Sequence, residues 1–140
     1  MKRLCGALLV VVLAGCAVAP PARDDETMLI LARQLVVLTA AVHGYVRYEQ
    51  AKPGLSDREI LANATKHDPA LLPRFSDYVL RVRQDDRNAS VLLCTRDGKR
   101  GLIEDVGCTA EPDRHLWKMP AAQPCEFTAR IREVCATPGR

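Results

Sequence analysis

The sequence predicts an α+β fold: a long N-terminal helix and short helices packed on a small antiparallel sheet, with a disulfide-stapled C-terminal third. Three observations carry this. Apolar residues recur at helical spacing from Met28 to Tyr45. The period changes to two at Tyr78. Asp97-Gly98 then separates two apolar runs, the strongest short hairpin signal in the chain.

The helix comes first. Asp24 or Asp25 supplies a cap, and Glu26 suits the positive end of the helix dipole. Met28, Leu31, Leu35, Leu38, Val42 and Tyr45 follow at spacings of 3, 4, 3, 4 and 3, one continuous seam. Leu29, Val36 and Val37 widen the apolar surface, and the polar stripe of Arg33, His43, Arg47 and Gln50 is narrow. Pro53-Gly54 stops the helix. Met28 to Val46 approaches the length of a membrane span, but Arg33 and His43 within it make insertion costly. The seam is therefore expected to cover one face of a sheet built from residues 78 to 106.

Short helices follow. Ser56 and Glu59 form an S-x-x-E capping box, with Leu55 and Ile60 placed as a hydrophobic staple. Asp68 is expected to cap a further turn, with Pro69 at its first position and Pro73 ending it.

In the first strand, Tyr78, Leu80 and Val82 point one way, and Val79, Arg81 and Arg83 the other. A two-residue turn at Asp97-Gly98 would place Cys94 opposite Gly101 and Leu92 opposite Ile103. Residues 110–124 are loop-like, with three prolines. Residues 126–134 fit both periods. Phe127, Ala129 and Ile131 alternate as in a strand; Phe127, Ile131 and Val134 share a helix face. A return strand completing the sheet is favoured.

The first apolar run decides the address. After Lys2-Arg3, the sixteen residues Leu4 to Ala19 carry no charge. That is short of the roughly 20 a spanning helix needs, and it has the basic start and apolar middle of a secretory signal. Leu13-Ala14-Gly15-Cys16 resembles the lipobox of bacterial lipoproteins at every position. The resemblance covers the first sixteen residues only. It implies cleavage after Gly15, a diacylglyceryl thioether on Cys16 and acylation of the new amino group. Ala17 rather than Asp follows the cysteine, which by the same resemblance favours the outer membrane, facing the periplasm. The expected organisation is a signal peptide at 1–15, a lipidated tether at 16–23 and one periplasmic domain at 24–140. A pilin-like arrangement also sets a long helix before a disulfide-bearing sheet. Pilins, however, keep their first apolar helix and carry a glutamate near its start, whereas here that run holds no acid.

Loss of Lys2 and Arg3 with the signal would leave eighteen basic residues against seventeen acidic. So slight an excess, with few aromatics, argues against nucleic acid as a partner. The distal cysteines are Cys94, Cys108, Cys125 and Cys135. Export favours their oxidation. A zinc site wants close ligand pairs, and here 13, 16 and 9 residues intervene. Three connectivities are open; sequential pairing, Cys94 with Cys108 and Cys125 with Cys135, is the simplest.

Asp113, Arg114, His115 and Trp117 form the expected recognition loop. An Asp113–His115 pair would suit a general base, but the sequence shows no nucleophile motif to serve it. The carboxylate pairs Asp85-Asp86 and Glu104-Asp105 would meet across the sheet only in particular registers. Arg81, Arg83, Arg130 and Arg132 would make a basic sheet face if their strands adjoin. No cofactor and no metal is expected. These features favour a non-enzymatic, membrane-anchored lipoprotein that binds or assembles with an envelope protein. An inhibitor, or a small hydrolase acting on cell-wall-related targets, is the alternative.

Overall fold

A computed structural model describes residues 25–49 and 51–136; Cys16 and the other residues expected to form a signal and tether lie outside them. The fold is α+β. Helix α1 (Asp25–Tyr48) precedes α2 (Asp57–Ala64), two 3₁₀ turns (Pro69–Leu71 and Pro73–Phe75), strands β1 (Val79–Asp85), β2 (Asn88–Cys94) and β3 (Gly101–Val106), and a last short helix, α3 (Ile131–Ala136). The three strands form one antiparallel sheet in the order β1-β2-β3.

The seam on α1 packs as its spacing requires. Met28, Leu31, Leu35, Leu38 and Val42 are buried, and Val46 takes the last buried position while Tyr45 is half-buried. They meet Val91, Leu93 and Ile103 of the sheet in one core, joined by Ile60 and Leu61 from α2 and by Leu71 and Phe75 from the two 3₁₀ turns. Tyr78, just before β1, and Leu80 and Val82 of β1 pack against this core. By length and composition α1 would cross a membrane, yet its most apolar face is spent on the sheet. His43 does not sit on a solvated stripe. It packs on the chain just after β3, where a Cβ on Gly107 would lie 2.3 Å from its own Cβ. Only glycine permits that approach.

Ser56 caps α2 as expected: Glu59 N–H donates to its hydroxyl, and Ser56 N–H donates to the Glu59 carboxylate at 2.8 Å. These hydrogen bonds, the Ser56 hydroxyl foremost, lower the Glu59 pKa. Asp68 makes no side-chain cap, and Pro73 opens the second 3₁₀ turn rather than closing the first. Two prolines four positions apart, Pro69 and Pro73, leave too few N–H groups for a longer helix.

The hairpin register is corrected by one residue. Cys94 faces Gly101, but Leu93 faces Ile103 and Leu92 faces Glu104, with a bulge between Leu93 and Cys94. The turn is longer than two residues: Gly98 N–H donates to the Thr95 carbonyl and Thr95 N–H to the Arg100 carbonyl. The space over Gly101 is filled from elsewhere, since a Cβ there would lie 2.9 Å from both Leu116 Cδ1 and the Pro124 carbonyl oxygen.

The largest departures concern the C-terminal third. The disulfides are Cys94–Cys125 and Cys108–Cys135, interleaved rather than sequential. Each ties the sheet to the segment that covers its second face. Residues 123–125 run beside the start of β3: Gly101 N–H donates to the Gln123 carbonyl and Cys125 N–H to the Lys99 carbonyl. That brings Cys125 to the end of β2, not to Cys135. Residues 126–134 form no return strand. They run irregularly across the sheet and end in α3. Phe127 joins Leu92, Leu116 and the Cys94–Cys125 bridge, while Ala129 and Ile131 join Val106.

Candidate functional site

The expected recognition loop is a second edge for β3. Arg114 and Glu104 exchange both backbone hydrogen bonds, each 3.0 Å. The Asp113 carboxylate accepts from Val106 N–H at 2.8 Å and lies 3.0 Å from the Thr109 hydroxyl. Leu116 is buried as the loop's anchor, and Trp117 packs half-buried on the main core with Lys118 over its ring at 5.0 Å. These contacts leave Arg114, Lys118 and Met119 exposed along one rigid stretch.

The structure therefore does not join Asp113 to His115. Asp113 is held by the end of β3, and His115 Nδ1 is buried with no hydrogen-bond partner. Burial, and then the Lys118 cation, lower the His115 pKa, so the ring is neutral at physiological pH. Asp113 therefore does not orient the His115 ring.

Glu104 and Asp105, successive on β3, are both 0% exposed and face opposite sides of the sheet. Glu104 points at the C-terminal segment. Its carboxylate accepts from Thr128 N–H at 2.8 Å, Thr128 Oγ1 at 2.7 Å and Ala129 N–H at 3.0 Å, with Arg83 3.9 Å away. Asp105 points at α1, and neither carboxyl oxygen has a hydrogen-bond partner. Burial pushes its pKa up to about 7; nearby Thr39 offsets this in part, and the Asp113 charge adds to it. The Thr39 hydroxyl gives its proton to the Leu35 carbonyl at 2.8 Å, so it does not satisfy Asp105. Sequence reasoning named this acid pair only as a cross-strand partner for Asp85-Asp86. Asp85 instead pairs with Asn88, four residues along β2 from the Leu92–Glu104 pair, so the two acid pairs do not meet.

The four arginines do not make one sheet face either, because Arg130 and Arg132 belong to the C-terminal segment. Arg81 is exposed on β1. The other three line a groove of about 410 Å³ with Gln84, Asp85 and Glu133. Each is engaged. Arg132 Nε lies 2.9 Å from both Asp85 oxygens, and Arg130 meets Glu133 at 3.0 Å. Arg83 donates to the Ala129 carbonyl and stacks on Phe127, 4.6 Å from the ring centroid. An incoming anion would have to displace these acids, so the groove is a clasp between β1 and the C-terminal segment.

Among the described residues no three His, Cys, Asp or Glu side chains converge in a metal-binding arrangement. The loop 113–119 is backed by β3 and flanked in the chain by the disulfide cysteines Cys108 and Cys125. Compared with known protein families, curated proteins and solved structures, the chain matches none.

Proposed function

We propose that the protein is a bacterial envelope lipoprotein, anchored through Cys16, whose domain binds a protein partner and carries out no chemistry of its own. The lipobox Leu13-Ala14-Gly15-Cys16 carries the anchor reading. Two or three acyl chains hold a protein on a membrane where one binds only marginally. The partner is an envelope protein, and the membrane is the outer one, facing the periplasm. A binding role draws support from how the loop spends its polar groups. Asp113 holds backbone, His115 stands without an orienting partner, and the exposed Arg114, Lys118 and Met119 sit on a scaffold fixed by two disulfides. Rigid loops of this kind carry recognition.

Two experiments test this. Cys16→Ser should abolish lipid labelling and leave an uncleaved precursor; wild-type protein released from membranes at the processed size would end the anchor reading. Crosslinking from Lys118 in intact cells should then capture a membrane-associated protein stoichiometrically. Capture of a single soluble hydrolase would point instead to inhibition.

A further inference from the structure

Helix α1 has a second face. Leu29, Ile30, Arg33, Val37, Arg47 and Tyr48 fall within an arc of about 100°, at 3.6 residues per turn, opposite the buried seam. The apolar members are open to solvent: Leu29 is 40% exposed, Ile30 47%, Val37 55% and Tyr48 75%. Glu26, in the first turn, also falls in this arc; from Thr27 to Tyr48 the helix carries no acid, while Arg33 and Arg47 are both exposed. A core helix needs none of this. Its polar side ordinarily carries charges of both signs and few large apolar side chains.

We propose that this outer face of α1 lies on an anionic lipid surface, the bilayer in which Cys16 is anchored. The proposal rests on the lipid-anchor reading and extends it from the tether to the domain. The chemistry of the face selects the occupant. Arg33 stands between Ile30 and Val37, so in an interface with a second copy its guanidinium would be buried among apolar groups. Such a charge costs several kcal/mol unless it is paired. At a bilayer surface the same side chain lays its stem along the acyl boundary and turns its charge up to a phosphate. Tyr48, with an apolar ring and a polar tip, is suited to the headgroup level. The buried seam keeps α1 against the sheet, so the helix lies on the membrane rather than across it.

Tether length supports the same conclusion. Eight residues separate Cys16 from Asp25. At full extension they span roughly 30 Å, by about 3.3–3.6 Å per residue. A face held within that radius of the bilayer meets it at an effective concentration on the order of millimolar. A surface too weak to bind membranes from solution is thereby kept in contact.

The test uses the full acylated protein, extracted from membranes and reconstituted in vesicles of phosphatidylethanolamine and phosphatidylglycerol with brominated acyl chains. Val37→Trp reports on the outer face of α1, and Arg81→Trp on the opposite side of the sheet; both positions are exposed, so both variants should fold. With the Trp117 signal of the wild type subtracted, bromine should quench Val37→Trp several-fold more than Arg81→Trp. Adding Arg33→Glu and Arg47→Glu, or replacing phosphatidylglycerol with a zwitterionic lipid, should weaken that quenching. Equal weak quenching at both positions, in protein whose mass shows the acyl chains, overturns the proposal and leaves the anchor standing. Shielding of Val37→Trp from both bromine and aqueous acrylamide also overturns it, in favour of a protein cover such as a second copy. A mass without acyl chains removes the anchor, and the proposal with it.

Discussion

Glu104 and Asp105 are neighbours in the chain, equally buried and oppositely treated. Glu104 receives three hydrogen bonds from Thr128 and Ala129; Asp105 receives none. The difference lies in what covers each face of the sheet. The middle of a helix has no spare donors, because its N–H groups are spent within it. A carboxyl beneath α1 therefore meets apolar side chains and a Thr39 hydroxyl already committed to Leu35. An irregular segment has unspent N–H groups, and residues 128–129 give theirs to Glu104. One acid is thus the organising centre of the second layer, and the other is a cost carried by the first.

The sharpest way to break this comparison is to remove the satisfied acid. Glu104→Leu leaves two backbone N–H groups without acceptors and Arg83 without its buried partner. Removing one member of a buried charged cluster costs about 3–5 kcal/mol, and residues 126–136 should lose hydrogen-exchange protection first. Urea unfolding measures the loss. Unchanged stability and protection would show that the disulfides alone hold the segment.

The unsatisfied acid should behave in the opposite sense, and through pH. Its folded pKa of about 7 lies above the ordinary 3.8. Between those values the native state keeps a proton that the unfolded chain has lost, so stability falls as pH rises through this window. Over the whole window the fall amounts to about 4 kcal/mol at 1.36 kcal/mol per pKa unit. His43 and His115 act against it, because burial lowers their pKa values and the unfolded chain takes up their protons first. Comparing wild type with Asp105→Asn isolates the carboxyl: the difference in urea midpoint should shift towards the variant from pH 4 to pH 8. A constant difference would mean that Asp105 stays ionised in the fold.

A third comparison concerns the layer above Asp105. Leu35 and Leu38 are both 0% exposed under α1. Leu35→Ala or Leu38→Ala should cost about 2–5 kcal/mol through lost burial and the cavity left behind. A cost below that range would indicate that α1 slides to refill the space.

Legibility in the sequence followed the same division between layers. The α1 seam, the capping box and the β1 alternation are repeats of local geometry, and each was readable because the period itself encodes the face. The second layer has no period. Thr128 and Ala129 are 24 and 25 residues from Glu104, and nothing in "FTAR" marks them as donors. The disulfide pairing depended on where residues 123–125 cross β3, which is a fact of tertiary path. One signal was present: two successive acids in an apolar strand must point to opposite faces, so if both faces are covered, both acids are buried.

The smallest expected effect separates stability from address. Arg33 is exposed on the outer face of α1, two positions from buried Leu35 on the opposite side of the helix, and makes no ion pair among the described residues. Surface changes of this kind usually fall within about 0.5 kcal/mol. Arg33→Ala should therefore leave the urea midpoint of a soluble form beginning at Arg23 almost where it was, while Leu35→Ala moves it plainly. The contrast matters because the two residues are two positions apart on one helix and serve different neighbours, one the sheet and the other the medium outside the domain. A loss above about 1 kcal/mol at Arg33, beyond the range of ordinary surface changes, would mean that its guanidinium stabilises the fold itself. The outer face of α1 would then be part of the domain's own architecture rather than a surface kept for the membrane.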